Sequence, residues 1–428
     1  MKNYINEVAE KMFIIKSVKI DGFWHRMTGD CSFFDDVNII IGRNGTGKTT
    51  FMNILHSILM VDTKGLAEDN FEKVEIILKE GNRTKTIKVK RLPDNEIQNF
   101  LFFEYQISNK KYTLRTSPED ILYPSTLRRR LEEESSRIRS ELREIVLISS
   151  LSVYRLRNSS DYEIRDKTGK HLVSPIDFKL SELLQGLTTY QLELTQQVNL
   201  ISSKLQKDVL ASILYTEKRS FNGDILQEFN QDRERESLTS AFRQLKVYDI
   251  GFKTKINEHV KAVDKTISLL NSENHEIDID YSALDALVRS RIVVDLSLKA
   301  EREISRINSH LDLFINILED FIQDKKFEIK DGQLNIKNNK EFIHYNKMSS
   351  GEKQLLILFI ETLLQKNTNN IFLTDEPELS LHIEWQRKII PAIQKLNPNA
   401  QIIAATHSPE VASKYSKKII SMSKIVHV

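Results

Sequence analysis

The chain has 428 residues, of which 40% are hydrophobic and 29% are charged, and its formal net charge is +2. This length exceeds one ordinary domain and supports a sizeable core, while the near balance of charge excludes a polycationic chain and leaves a local basic surface open. Cys31 is the single cysteine, which excludes a disulfide within the chain and a cysteine-based zinc site. Because no apolar run is long enough to cross a membrane and no signal peptide is seen, we expect a cytoplasmic protein without a membrane partner.

A phosphate-binding motif stands between a predicted strand and a predicted helix. Residues 13–20 begin a first strand, and the β-branched run 37–41 predicts a short, buried parallel strand. Residues 42–49 then read G-x-x-x-x-G-K-T, and apolar residues at helical spacing follow over 51–59. A preceding strand and a following helix are the context that identifies a P-loop.

The P-loop predicts the groups that hold the phosphates of a nucleotide. Glycine lets backbone N–H groups approach phosphate oxygens, and the helix N-terminus adds partial positive charge. We expect Lys48 to reach the β- and γ-phosphates and the Thr49 hydroxyl to bind Mg²⁺. No Asn-Lys-x-Asp guanine-binding motif occurs in the sequence, which favours ATP over GTP. The predicted cofactor-binding residues here are Arg43, Asn44, Gly45, Thr46, Gly47, Lys48, Thr49 and Thr50.

Short strands follow the P-loop helix. Tight turns between short β-rich runs predict two hairpins, one pairing 74–78 with 86–89 and the other pairing 102–107 with 112–114. Together they are expected to form an antiparallel β-lobe. A further core strand is predicted at 145–154.

Long helices are predicted from about residue 178. Apolar residues follow a heptad spacing up to Leu205, and residues 304–321 keep the same spacing. A compact bundle and a protruding coiled-coil arm fit this pattern equally. A hairpin over 327–336 then returns the chain to the first part. We therefore predict three segments: 1–175 as the N-terminal part of a head, 176–325 as a helical insertion, and 326–428 as the C-terminal part of the head.

A second anion site is predicted where a serine pair begins a helix. Ser349 and Ser350 precede Gly351, and Glu352 suits the first turn of a helix that continues as a nearly all-apolar run. A capped helix N-terminus binds anions readily. Because the P-loop already provides one such site, we expect Ser349, Ser350, Gly351 and Glu352 to contact another phosphate.

Two further strand ends carry the residues of a hydrolytic site. The apolar run 371–374 ends at Asp375 and Glu376, whose side chains point to opposite faces as consecutive strand residues do. We assign Asp375 to Mg²⁺ and Glu376 to the activation of water as general base. The run 401–405 is followed by His407, which we expect to contact the γ-phosphate and hold the attacking water. The predicted catalytic residues are Glu376, His407 and Lys48.

Taken in this order, the four motifs resemble those of ABC-type ATPase heads in the SMC, RecF and OLD families. Residues 348–354 match their signature sequence, with Met348 where leucine is usual, and 378–382 resemble the D-loop stretch of the OLD-like subgroup. The resemblance implies an α/β fold, namely a P-loop ATPase head of mixed sheet with an antiparallel β-lobe and a coiled-coil-like insertion. It also implies ATP and Mg²⁺ as cofactors. The glutamine-loop residue stays open between Gln98 and Gln106.

The resemblance carries expectations about partners. In these families the signature turn of one subunit closes over the γ-phosphate held by another, so ATP is expected to close a dimer or a higher oligomer and hydrolysis to open it. OLD-family nucleases continue beyond the histidine into a Toprim domain, and the given sequence ends too soon after His407 to include one. The acidic pair Asp278 and Asp280 has no third ligand at useful spacing, so we expect the nuclease to be a separate subunit.

Three classes of function remain at this stage. The preferred one is the sensor or scaffold ATPase of a bacterial antiphage complex, since the chain resembles the ATPases of the Septu and PARIS systems, which act with a separate effector nuclease. A second is a RecF- or SMC-like clamp for DNA repair or recombination, which itself binds DNA. A transporter subunit is disfavoured, because the insertion between the motifs is too large and too heptad-like.

Overall fold

A computed structural model describes residues 12–93, 100–116, 125–150, 162–166, 169–212, 214, 229–245, 247–270, 281–330, 332–338 and 341–427. Backbone contacts divide the chain into two compact units: one combines Met1–Thr188 with Leu313–Val428, and the other is Thr189–Asp312. These limits differ from the boundaries predicted at 176 and 325, because two long helices, Pro175–Ser212 and Tyr281–Phe321, contribute residues to both units.

The strands in the described residues belong to the first unit. In chain order they are β1 Ile14–Phe23, β2 Met27–Ser32, β3 Val37–Ile41, β4 Lys73–Glu80, β5 Arg83–Arg91, β6 Leu101–Ile107, β7 Lys110–Thr116, β8 Ile148–Ser150, β9 Tyr162–Asp166, β10 Gly169–Val173, β11 Lys326–Lys330, β12 Gln333–Asn338, β13 Glu341–Ile343, β14 Asn370–Asp375, β15 Ala400–Thr406, β16 Ile419–Ser421 and β17 Val426–His427.

The helices of the described residues are α1 Lys48–Met60, α2 Thr63–Glu68, α3 Ser125–Arg143, α4 Pro175–Ser212, α5 Gln231–Gln244, α6 Ile250–Leu270, α7 Tyr281–Phe321, α8 Ser350–Leu364, α9 Ile383–Leu396, α10 Pro409–Ala412 and α11 Met422–Ile425. Short 3-10 turns occupy Tyr345–Lys347 and Ser413–Lys418.

Two larger sheets carry the first unit. An antiparallel sheet has the order β17-β2-β1-β4-β5-β6-β7 among the described residues, and it includes both predicted hairpins. A parallel sheet has the order β16-β3-β15-β14-β8. The fold class is therefore the predicted α/β mixture with an antiparallel lobe, and these two sheets confirm it. The hairpin β11-β12 is also present and extends to β13.

The parallel sheet is the buried layer that positions the site. Every residue of β14 and β15 is buried, as expected for central parallel strands covered on both faces. Helix α1 packs on this layer through Phe51, Ile54 and Leu55, which have no exposed surface. In the register of the sheet Ile41 lies beside Thr406 and Ala405 lies beside Asp375. The carboxyl ends of β3, β15 and β14 therefore meet at one edge.

The second unit is helical in its described part. Helices α5, α6 and the first part of α7 share a small apolar core around Leu238 and Val260, and α6 and α7 share a second one around Val263 and Leu287. Helix α4 and the second half of α7 were predicted from their heptad spacing. By contrast, α5 and α6 were not predicted.

Some sequence predictions lie outside the described residues. These are the last part of the predicted strand 145–154, beyond Ser150, and the residues Gln98, Asp278 and Asp280. Among the described residues no helix is both long and apolar enough to span a membrane.

Candidate active site

The P-loop follows β3 and turns directly into α1. The Thr46 hydroxyl donates to the carbonyl oxygen of Arg43 at 2.8 Å, which closes the loop on itself. Gly47 caps α1 with a φ of 91°, and the backbone N–H of Phe51 donates to its carbonyl oxygen at 2.8 Å. A left-handed residue is needed at this position, which glycine adopts without steric cost. The loop thus presents the N-terminus of a regular helix at the carboxyl edge of the parallel sheet.

Lys48 is buried with 4% of its surface exposed, and its amine is held by backbone carbonyls. Nζ donates to the carbonyl oxygens of Gly42 at 2.9 Å and Arg43 at 3.2 Å. Burial lowers the pKa of Lys48, while the nearby carboxylates of Asp375, Glu376 and Glu378 oppose that shift. Because a phosphate oxygen is a stronger acceptor than a peptide carbonyl, the amine can exchange these carbonyls for a phosphate.

Asp375 ends β14 beside the P-loop threonine. The residue is 7% exposed, and its carboxylate accepts a hydrogen bond from the Thr49 side chain. Burial raises the pKa of Asp375 and Glu376 adds to this, while the Thr49 hydrogen bond and Lys48 oppose it. A divalent cation there would favour the ionised carboxylate, since an adjacent positive charge stabilises the charged form.

The oxygen donors of Thr49 and Asp375 fit Mg²⁺. This ion prefers hard oxygen ligands, and it commonly takes only one or two from the protein, with water and phosphate oxygens as the others. No group of three or more His, Cys, Asp or Glu side chains in the described part of the chain could hold a metal by itself.

Glu376 and His407 face each other at neighbouring strand ends. Oε1 of Glu376 lies 3.8 Å from Nε2 of His407, and their side chains are 39% and 35% exposed. Glu376 has a φ of 50°, which is unusual for a residue with a side chain, and its N–H donates to the carbonyl oxygen of Ala405 at 2.8 Å. Strained residues cluster at functional sites. The pair can therefore reach a water molecule from two sides.

The structure thus brings together five predicted residues. Lys48, Thr49, Asp375, Glu376 and His407 stand at the ends of three adjacent strands or at the start of α1. The remaining P-loop residues complete the turn between β3 and α1, and Arg43, Asn44 and Gly45 are exposed to solvent.

The signature residues form a separate turn at the start of α8. Ser349 caps the helix, and Oε2 of Glu352 accepts from its N–H at 2.8 Å and its hydroxyl at 2.9 Å. Oε1 of Glu352 accepts from Lys325 at 2.6 Å. The Glu352 carboxylate is therefore committed to shaping the turn. Ser349 and Ser350 are exposed, and none of the contacts given above for Lys48, Asp375 or His407 involves this turn.

Two residues near the site were missed by sequence reasoning. Trp24, in the turn between β1 and β2, is 37% exposed, and a Cβ placed on Gly47 would lie 3.1 Å from its Cη2. An exposed indole therefore lies beside the phosphate loop. Glu378 accepts hydrogen bonds at the end of β15. An aromatic residue after a predicted strand and a second glutamate after Asp-Glu-Pro are the sequence signals that could have drawn attention to them.

Comparison with known proteins identifies relatives along most of the chain. The family model described as "AAA ATPase domain" matches residues 14–412. The retron Ec83 probable ATPase of Escherichia coli is 31% identical over 150 residues, which is 30% of this chain and 27% of that protein. The retron Vc95 probable ATPase of Vibrio cholerae serotype O1 biovar El Tor is 22% identical over 408 residues, covering 90% of this chain and 68% of that protein.

A shorter match and a structural likeness complete the comparison. The Septu protein PtuA of Bacillus thuringiensis is 35% identical over 82 residues, 16% of this chain and 21% of that protein. This chain therefore matches under a third of the retron Ec83 protein and about a fifth of the Septu protein. The Smc head domain with an extended coiled coil from Pyrococcus furiosus aligns at 12% identity with a TM-score of 0.44, over 96% of this chain and 93% of that chain.

Proposed function

Because the chain belongs to the AAA ATPase domain family, we propose that it binds ATP with Mg²⁺ at the Lys48 site and hydrolyses it. The observation that carries this proposal is the meeting of three parallel strand ends. The strands β3, β15 and β14 are neighbours, and they lead to Lys48, His407 and the Asp375–Glu376 pair respectively. In this proposal the phosphate site, the magnesium ligand and the base would share one edge of the parallel sheet.

Each of these residues has a separate role in the proposed hydrolysis. The P-loop N–H groups and Lys48 would hold the phosphates, and Thr49 with Asp375 would hold Mg²⁺, which neutralises phosphate charge when bound. Glu376 would take a proton from the attacking water, a contribution typically worth about 10²–10⁴ in rate. His407, 3.8 Å from Glu376, would hold that water and contact the γ-phosphate. Phosphate release from MgATP and from MgGTP by the purified chain tests this, and equal turnover of both would contradict a preference for ATP.

We propose further that two copies share each nucleotide, with the signature turn of one copy closing over the phosphates bound by the other. The support is the exposed, capped start of α8, where Ser349 and Ser350 face solvent and Glu352 fixes the turn from within. A helix N-terminus formed in this way is an anion site, and the P-loop of the same chain is already another.

A mixing experiment tests the shared site. One variant carries Lys48→Ala and the other carries Ser350→Arg, so each is inactive as a homodimer. A mixed dimer contains one site in which an intact P-loop meets an intact signature turn. Recovery of turnover on mixing supports sharing, whereas two variants that stay inactive together, or a Ser350→Arg variant active alone, would contradict it.

The biological role we propose is that of an ATPase subunit in a bacterial antiphage complex, acting with a separate effector nuclease. It is supported by relatives named as retron ATPases and as a Septu protein, the latter being one of the systems to which the motif resemblance pointed. Purification of the tagged chain with its native neighbouring genes present tests the role. A stoichiometric second polypeptide with nuclease activity supports it. A homo-oligomer that retains DNA and binds it in an ATP- and salt-dependent manner would favour a clamp instead.

A further inference from the structure

The Glu378 carboxylate connects the turn that follows β14 to the end of β15. One oxygen, Oε1, accepts three hydrogen bonds: from the Thr406 hydroxyl at 2.5 Å, from the backbone N–H of His407 at 3.0 Å and from the backbone N–H of Ser408 at 3.2 Å. Thr406 has no exposed surface and lies beside Ile41 in the sheet. The carboxylate therefore holds the backbone at His407 and on both sides of it.

A second contact joins the same two segments. The Ser408 hydroxyl donates to Oε1 of Gln386 at 2.7 Å, and Nε2 of Gln386 donates to the carbonyl oxygen of Leu381 at 3.0 Å. Leu381 belongs to the turn that contains Glu378, because its N–H donates to the Glu378 carbonyl oxygen at 3.0 Å. The segment after β15 is thus bound to the turn after β14 at two points, and Glu378 supplies the point nearest His407.

This connection bears directly on the pair proposed to activate water. Glu376 lies two residues before Glu378 on the same turn, and His407 lies on the segment that Glu378 holds. The 3.8 Å separation of Glu376 and His407 therefore depends on how these two segments are held together. Positioning errors of about 1 Å can cost on the order of 100-fold in rate.

We propose that Glu378 is a positioning residue of the ATPase site, which sets the place of His407 relative to Glu376. The inference rests on the proposed function and goes beyond it, because it assigns a task to a carboxylate that contacts neither member of the pair through their side chains. Its second oxygen, Oε2, is buried and makes no hydrogen bond with the described residues. All the observed hydrogen bonds therefore use one acceptor atom, which a glutamine carbonyl can replace.

The test compares Glu378→Ala with Glu378→Gln. Alanine removes the acceptor, so kcat should fall on the order of 10- to 100-fold while KM for ATP changes by less than about 3-fold. Glutamine keeps a carbonyl oxygen for the three donors, so it should restore most of kcat. If the glutamine variant is as inactive as the alanine variant, the negative charge of Glu378 is what matters, and the positioning role is wrong.

A double-mutant cycle shows whether Glu378 acts through His407. In the His407→Ala background, Glu378→Ala should cost little further activity, because the group that it positions is already absent. If Glu378→Ala lowered kcat by the same factor with and without His407, the proposal would be overturned. Glu410→Ala serves as the matched control: this nearby carboxylate pairs with Arg387 at the surface and should leave turnover unchanged.

Amide hydrogen exchange gives a readout that does not need turnover. The N–H of His407 donates to Glu378, whereas the N–H of Ser408 is shared between Glu378 and the Thr406 hydroxyl. A peptide covering 400–412 should therefore exchange faster, chiefly at His407, in Glu378→Ala than in the wild type and in Glu378→Gln. Unchanged exchange in the alanine variant would overturn the inference. If the wild type released no phosphate from MgATP, the proposed function would fail, and the exchange data would still decide whether Glu378 holds this segment.

Discussion

The carbonyl oxygen of Ser380 lies against Gly351, so that a Cβ placed on this glycine would approach it to 2.7 Å. Ser380 has a φ of 66°, which is uncommon for a residue with a side chain. The signature turn at the start of α8 and the turn after β14 are thus in direct contact within one chain.

Replacement of Gly351 by alanine should therefore displace one of these turns. We expect a loss of stability of about 1–3 kcal/mol from overpacking. The loss of ATP turnover should be larger, because one of these turns carries Glu376 and the other is the proposed signature turn. Thermal unfolding and phosphate release measure the two effects. Ser416→Ala, at an exposed position elsewhere on the same unit, is the control; equal behaviour of the two variants would contradict the steric argument.

Replacement of Lys48 by alanine should weaken ATP binding. Hydrogen bonds to charged groups contribute about 1.5–3 kcal/mol, which corresponds to a rise in Kd of roughly 10- to 150-fold. The loss should be larger still because Asp375, Glu376 and Glu378 would face the phosphates without a neutralising amine. Isothermal titration with MgATP measures it. Lys417→Ala, which changes an exposed lysine elsewhere on the same unit, should leave Kd unchanged. If Lys48→Ala retained its affinity for ATP, the assignment of this loop as the phosphate-binding site would be wrong.

Trp24 is expected to contribute to affinity for the base of the nucleotide. Its indole is 37% exposed and lies beside Gly47, and stacking of a base on an aromatic ring is worth about 1–3 kcal/mol. Trp24→Ala should therefore raise the Kd for ATP by roughly 5- to 150-fold, whereas Trp24→Phe should retain most of the affinity.

Inorganic tripolyphosphate separates stacking from a disturbed phosphate loop. It has no base, so its Kd should be the same for the wild type and for Trp24→Ala. An equal loss of affinity for both ligands would show that the indole supports the loop and does not contact the base.

The carboxyl group of Glu361, on α8, predicts a dependence of stability on pH. Burial raises the pKa of Glu361 from its ordinary value of 4.5 to about 7; Glu182 adds to the shift and Lys179 opposes it. Its Oε2 is buried without a hydrogen bond to the described residues. The folded state therefore binds this proton more tightly than the unfolded state. The contribution of Glu361 to the free energy of unfolding is greatest below about pH 4.5 and decreases as the pH rises to about 7.

Glu361→Gln removes this contribution and should stabilise the protein at neutral pH, by no more than about 3 kcal/mol. Its advantage over the wild type should shrink as the pH is lowered towards 4.5. Chemical unfolding at several pH values measures the difference. Glu132→Gln, at an exposed position on the same unit, is the control. A Glu361→Gln variant less stable than the wild type at pH 7.5 would contradict the prediction.

The central site was predictable because its residues follow short buried strands. A β-branched run before Gly42 and apolar runs before Asp375 and Thr406 are local patterns, and adjacent parallel strands place their carboxyl ends together whatever their separation in sequence. The antiparallel hairpins were also recognisable, because their turns are local sequence patterns. The signature turn was recognised as a helix cap, and the capping box of Ser349 and Glu352 has that form.

The features that the sequence did not predict depend mostly on contacts between residues that are distant in the chain. Nothing local to Glu378 shows that its carboxylate accepts hydrogen bonds from residues 406–408, and nothing local to Glu352 shows that Lys325 pairs with its carboxylate. Helix α5 was missed because it has few apolar residues. Helix α6 repeats apolar residues at 256, 260, 263, 267 and 270, a heptad spacing that could have predicted it.

The most direct test of the account is ATP turnover by Glu376→Gln beside the wild type, with nucleotide binding and assembly mass recorded on the same samples. The substitution removes the proposed base and keeps the size of the side chain. We predict unchanged ATP affinity, phosphate release slower by about 10²–10⁴-fold, and accumulation of an assembly of at least two chains in MgATP. Rapid turnover by Glu376→Gln would show that this carboxylate is not the base and would contradict the assignment of the site.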